Sequence, residues 1–119
     1  MIVIESLNHI NLPANDLEKS VEFYSMLLDF EEVESDTNSK TISFDDKLNI
    51  RLVKTEEKLI NSNFPIFSFI MDIDDFTEAL QEVEASKIKI ISGPNEINGG
   101  ENLLIADPAG NTIELYYQE

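Results

Sequence analysis

The chain has no cysteine, no tryptophan, one histidine and one arginine among its 119 residues. Without cysteine there is no disulfide framework and no thiolate metal site. No apolar run approaches the ~18 residues that a membrane-spanning helix needs. The opening Met1-Ile2-Val3-Ile4-Glu5 lacks the basic region and small-residue cleavage site of a signal peptide. These absences imply a cytoplasmic protein without a membrane partner. Basic residues are scarce as well: 8 Lys and Arg stand against 24 Asp and Glu, for a net charge of -16. Such a field repels nucleic acid and favours cationic ligands, although it also serves plain solubility.

What remains is enough for a globular fold. The 42% hydrophobic content is spread along the whole chain, and 119 residues make one domain by length. Two modules of about 55 residues would each be marginal alone, so a shared core is expected.

Residues 6–13 read as a strand ended by Pro13, after which Asn15 or Asp16 caps a helix. Leu17, Val21, Tyr24 and Leu28 form its apolar stripe, and Asp29-Phe30 closes it. Strands follow at about 31–36, 40–45 and 47–54, with Asp45-Asp46-Lys47 turning the last two into a hairpin. The polar stretch 55–63 reads as a linker between module one, 1–57, and module two, 64–119. The order then recurs. Phe64 to Ile73 is apolar enough for a well-buried strand. Asp74 or Asp75 caps a second helix with Phe76, Leu80 and Val83 inward. Lys87 to Ile91 is a strand broken by Ser92-Gly93-Pro94-Asn95, and Gly99-Gly100 is a loop tip. Strands at 102–106 and 112–117 are joined by Asp107-Pro108-Ala109-Gly110-Asn111.

The two halves therefore repeat at an offset of about sixty residues. Slid along itself, the chain sets His9 on Ser68 and Arg51 on Glu114. Strand alternation places His9 with Leu7 and Asn11, Ser68 with Ile66 and Ile70, Arg51 with Asn49 and Val53, and Glu114 with Thr112 and Tyr116. The opposite faces are more apolar and should meet the helices. The mixed faces should line a concavity, with Tyr116 available to stack on a ligand and Tyr24 committed to the core.

The element order, the opening Leu7-Asn8-His9-Ile10-Asn11-Leu12 with Asp16-Leu17, and above all Asp107-Pro108-Ala109-Gly110-Asn111-Thr112-Ile113-Glu114-Leu115 resemble the glyoxalase/bleomycin-resistance/dioxygenase, or vicinal oxygen chelate, superfamily. The resemblance spans essentially the whole chain. It implies an α+β fold of two βαβββ modules, a curled mixed sheet around a cup-shaped cavity, and a homodimer. In metal-dependent members, the first and last strands of each module supply His, Glu or Gln ligands. By that resemblance His9 and Glu114 fill two ligand places, while Ser68 and Arg51 stand at the other two. A guanidinium has no lone pair and stays protonated beside a cation, and a serine hydroxyl is a weak ligand.

The expectation is thus a small-molecule-binding protein, of the drug- or metabolite-binding kind, with a degenerate metal site and no preferred cofactor. His9, Asn11, Arg51, Ser68, Glu114 and Tyr116 would contact a ligand, possibly a cationic one. The alternative is a glyoxalase-type enzyme, a lyase, isomerase or dioxygenase. It would be metal-free or hold a divalent ion on His9 and Glu114, with these two as catalytic residues and His9 a candidate base.

Overall fold

The structure is a computed structural model that describes residues 1–57, 64–72 and 75–118. Residues 58–63 of the expected linker, Ile73 and the alternative cap Asp74 lie outside the described residues. The chain divides into two compact units, Met1–Glu57 and Lys58–Glu119.

In the first unit, β1 (Ile10–Ala14) leads to α1 (Leu17–Leu28), then to β2 (Glu31–Ser35), β3 (Ser39–Phe44) and β4 (Leu48–Lys54). Asp16 is the helix cap, its carboxylate accepting from the Lys19 amide at 3.2 Å. Asn15 instead ties the helix entrance to the end of β4 through the Thr55 and Glu57 carbonyls. Asp29 ends the helix in the left-handed conformation, which Asp tolerates better than most residues. Asp45 and Asp46 both take positive φ, and the Lys47 amide closes on the Phe44 carbonyl at 2.9 Å. That is the primed hairpin turn whose twist suits its strands.

The second unit runs β5 (Phe67–Ile70), α2 (Phe76–Ala85), β6 (Ile90–Ile97), β7 (Gly100–Ala106) and β8 (Thr112–Gln118). Asp75 caps α2 by accepting from the Thr77 amide at 2.9 Å. The two sheets share one plan, β1-β4-β3-β2 and β5-β8-β7-β6, with the first pair of each parallel and the others antiparallel. The α+β class and the two βαβββ modules are therefore as expected, and each sheet is open. Each unit buries a set of apolar side chains. Tyr24, Ile42, Ile50 and Leu52 are sealed in the first, and Val83, Leu103, Ile105 and Ile113 in the second. Tyr24 is joined edge-on by Phe23 and Phe30.

Four local readings are corrected. The first strand begins at Ile10 and not at residue 6, so His9 lies just before the ladder. The strand expected from Phe64 is not well buried: among the described residues Phe67–Ile70 forms β5, the Ile66 and Met71 amides on either side donate to β8 carbonyls, and Ile70 is 69% exposed. Ser92 to Asn95 does not break its strand but lies inside β6, where the register shifts. Gly100 already belongs to β7, and the turn is at Asn98-Gly99.

The register also revises the repeat. Asn11 is opposite Arg51 in the first unit, and Ser68 is opposite Glu114 in the second. If Arg51 and Glu114 are equivalent, Ser68 corresponds to Asn11, and the counterpart of His9, two residues earlier, is Ile66.

The β7–β8 connection is built around Asp107. Its buried carboxylate accepts from the Ala109 amide, the Asn111 amide and the Asn111 side chain at 3.0, 2.9 and 2.7 Å. Gly110 supplies the positive φ the turn requires. Asp107→Ala would strand these buried donors and should cost about 3 kcal/mol, read as a lowered midpoint in urea denaturation.

Candidate functional site

Strand pairing carries Asn11, Arg51 and Thr41 in one row across the first sheet. Ser39 and Val53 form the next row, and Ser43 and Asn49 the one on the other side. Alternation sends Ile10, Leu12, Ile42, Ile50 and Leu52 to the opposite face, and α1 packs on β2, β3 and β4. The row face, together with the end of β2, forms a concavity of about 730 Å³. It is lined by Asn8, His9, Asn49, Arg51, Thr41 and Ser39, and by Val33 to Asp36. Asn11 shares the Arg51 row but is not among the lining residues.

Two short hydrogen-bond chains organise this surface. Asp36 gathers its own loop, accepting from the Asn38 and Ser39 amides at 2.8 and 2.9 Å and from the Ser39 hydroxyl at 3.0 Å. The same buried hydroxyl accepts from Arg51 Nε at 3.3 Å. The guanidinium is thus braced along one edge. Among the described residues it makes no ion pair, so its terminal nitrogens remain available to a ligand. On the other side, the Asn8 side-chain amide donates to His9 Nδ1 at 2.9 Å, which places the proton of the neutral ring on Nε2. Asn49 in turn donates to the Asn8 carbonyl at 3.4 Å. In this tautomer His9 presents a donor, and its lone pair is already engaged.

In the second unit, Ser68, Glu114 and Leu104 form one row, and Tyr116 and Asn102 another on the same face. Glu114 is half-buried, and its Oε2 accepts from Asn102 Nδ2 at 2.7 Å. Tyr116 is half-buried and Ser68 exposed. The sequence-expected residues therefore fall into two groups, with His9, Asn11 and Arg51 on one unit and Ser68, Glu114 and Tyr116 on the other. Each charged residue has a neutral partner within its own unit, Ser39 for Arg51 and Asn102 for Glu114.

Ser39, Asp36 and Asn102 were not singled out from sequence. Asp36-Thr37-Asn38-Ser39 did carry a signal, because Asp followed by Asn and Ser favours a side-chain-to-backbone turn. Nothing local announced that Ser39 would brace an arginine twelve residues away.

Each unit is a βαβββ module, and the first carries a polar concave sheet face. The chain belongs to the Glyoxalase/Bleomycin resistance protein/Dioxygenase superfamily, whose family model matches residues 6–115. It is 26% identical to a metallothiol transferase, FosB, of Staphylococcus epidermidis over 95% of this chain and 82% of that protein. It is 28% identical to the virulence protein STM3117 of Salmonella typhimurium, over 96% and 85% of the two chains. Its fold matches the fosfomycin resistance protein FosX of Listeria monocytogenes with a TM-score of 0.83, covering 98% of this chain and 96% of that one at 19% identity.

These relatives bear on the metal question. FosB is a metallothiol transferase by name, and a FosX variant has been solved complexed with Mn(II) and 1S,2S-dihydroxypropylphosphonic acid. The preference for a site without a cofactor therefore finds no support among them. The residues of this chain fit a divalent ion incompletely. His9 and Glu114 are ligand-capable, the register puts Ile66 at the place that matches His9, and no three His, Asp or Glu side chains cluster among the described residues. A typical catalytic site keeps about three protein ligands.

The Asp36 carboxyl sits below its ordinary pKa, chiefly because of the Asn38 amide and the Ser39 hydroxyl, with the Arg51 charge adding a smaller effect. A carboxyl more acidic in the folded chain than in the unfolded one stabilises the fold above its ordinary pKa of about 4. That contribution is lost as pH falls through the lower, folded value. Asp36→Asn should therefore flatten the acid side of the melting temperature against pH, measured between about pH 5 and 2.5, while the neutral-pH fold is retained.

Proposed function

We propose that this chain is a resistance-type small-molecule-binding protein whose ligand is a small, oxygen-rich molecule with an anionic or carbonyl group for Arg51. The observation that carries the reading is the braced guanidinium in the 730 Å³ concavity, with no carboxylate partner among the described residues. Around it, His9, Asn49, Thr41 and Ser39 offer neutral donors and acceptors suited to hydroxyls. This departs from the cationic ligand suggested by the net charge. Local groups decide what docks, and of the two acids that line the concavity, Glu34 and Asp36, Asp36 accepts three hydrogen bonds from its own loop. The relatives support the choice, since the small molecule in the FosX complex is a dihydroxylated phosphonic acid. The assembly implied is the homodimer expected from sequence, and the exposed apolar segment Met1 to Ile4 is consistent with burial against a second copy.

Calorimetric titration with fosfomycin and with 1S,2S-dihydroxypropylphosphonic acid tests the reading. Arg51→Gln should weaken binding roughly tenfold or more, as expected for a lost charge-assisted hydrogen bond. Tight binding confined to cationic compounds, indifferent to Arg51→Gln, would sink it.

A metal-dependent enzyme of the glyoxalase type is the second reading. It is favoured by Glu114, whose Oε2 is held by Asn102 while its second oxygen has no hydrogen-bond partner among the described residues. In that case His9 and Glu114 would hold the ion and the ion would polarise a substrate oxygen. Mn(II) added to the protein should then raise the melting temperature, and His9→Ala and Glu114→Ala should each remove the effect. An unshifted wild-type melt over millimolar Mn(II) would exclude this second reading.

A further inference from the structure

The strand β6 has two residues too many against β7, one between Ile90 and Ser92 and one between Ser92 and Asn95. Ser92 is opposite Leu104 and Asn95 is opposite Asn102, so three steps along β6 match two along β7. This second extra residue falls at Gly93-Pro94. Were the pairing to continue unbroken from Ser92, Pro94 would stand opposite Asn102, and Asn95 would point to the other face of the sheet. The bulge turns Asn95 onto the face that carries Asn102 and Glu114. Gly93 makes this possible. Its φ is +105°, and a Cβ there would lie 2.9 Å from the Asn102 carbonyl oxygen.

Directional hydrogen bonds then follow. Asn95 Nδ2 donates to the Ser92 hydroxyl oxygen and to Asn102 Oδ1, both at 3.2 Å. Asn102 Nδ2 donates to Glu114 Oε2 at 2.7 Å. An ionised carboxylate can only accept, so Asn102 must turn its NH₂ toward Glu114. Its oxygen then faces Asn95, which must present its own NH₂. Reversing either amide would set two acceptors or two donors face to face.

We infer that Asn95 and Asn102 are positioning residues for Glu114. Through the β6 bulge they hold it as an oriented acceptor with one oxygen open to a donor group. The inference deepens the proposed function and rests on it for its biological meaning. It makes Glu114 the acceptor for a ligand hydroxyl or ammonium, or for a cation, and not a proton donor. Sequence reading passed over both asparagines, because one sits in an apparent strand break and the other begins an apolar strand.

Side-chain amide NMR on the ¹⁵N-labelled wild-type protein tests the relay without any ligand. The Asn102 NH₂ protons should be split well beyond those of a free asparagine amide. Glu114→Gln, which replaces the carboxylate acceptor, should reduce that splitting. Asn95→Ala, at an exposed position that leaves the melting temperature within a few degrees, should collapse the Asn102 splitting toward the free-amide value. An Asn102 signal already at the free-amide value, or one unmoved by both variants, would overturn the inference. Failure of the wild type to bind either phosphonate would overturn the proposed ligand class instead, and the amide measurement would still decide the relay.

Discussion

A strand residue faces one side of its sheet or the other, and a slip of one residue reverses the choice. The parallel ladders β1–β4 and β5–β8 therefore govern everything this chain presents to a ligand. They send Ile50, Leu52, Ile113 and Leu115 to the buried side and leave Arg51 and Glu114 on the other. The helix caps, the Asp107 turn and the Asp45-Asp46 hairpin act in support by fixing where each strand begins. Once the register is set, each functional side chain needs only one neighbour to aim it: Ser39 for Arg51, Asn8 for His9 and Asn102 for Glu114.

The two units use the same plan to different ends. The first offers a cation at the centre of its last strand and the second an anion. Each charge is held by neutral hydrogen-bonding groups, which orient a charge without cancelling it. The chain keeps two residues able to ligate a cation, His9 and Glu114. It also departs from a full ligand set at the position of Ile66, where the side chain has no lone pair to offer.

Much of the architecture was legible because it rests on short-range chemistry. Asp16 and Asp75 announced their helices by being short acceptors ahead of apolar stripes, and both cap as expected. The Asp107-Pro108-Ala109-Gly110-Asn111 turn was plain for similar reasons. Tyr24 was assigned to the core by its place in the helix stripe and is fully buried. The candidate site was legible in part. His9, Arg51 and Glu114 stood out as chemically distinctive residues, whereas Ser39, Asp36, Asn95 and Asn102 did not, because asparagine, aspartate and serine are common in loops and are told apart only by what they touch. The long strand at Phe64 misled for a related reason. Apolar content reports a preference for burial, and β5 has a sheet partner on one side alone.

The sequence by itself determined the fold class, the twofold repeat, the element order and the few residues able to carry charge or ligate. All of these follow from periodicity, capping chemistry and composition, which act over a few residues. Tertiary structure alone decided the strand register, and with it that Asn11 stands opposite Arg51 and Ser68 opposite Glu114. It alone decided the β6 bulge that turns Asn95 toward Asn102, and the concavity around Arg51. Register depends on hydrogen bonds between strands tens of residues apart. No local pattern contains that information, since two alignments differing by two residues put the same side chains on the same faces and differ only in which of them meet.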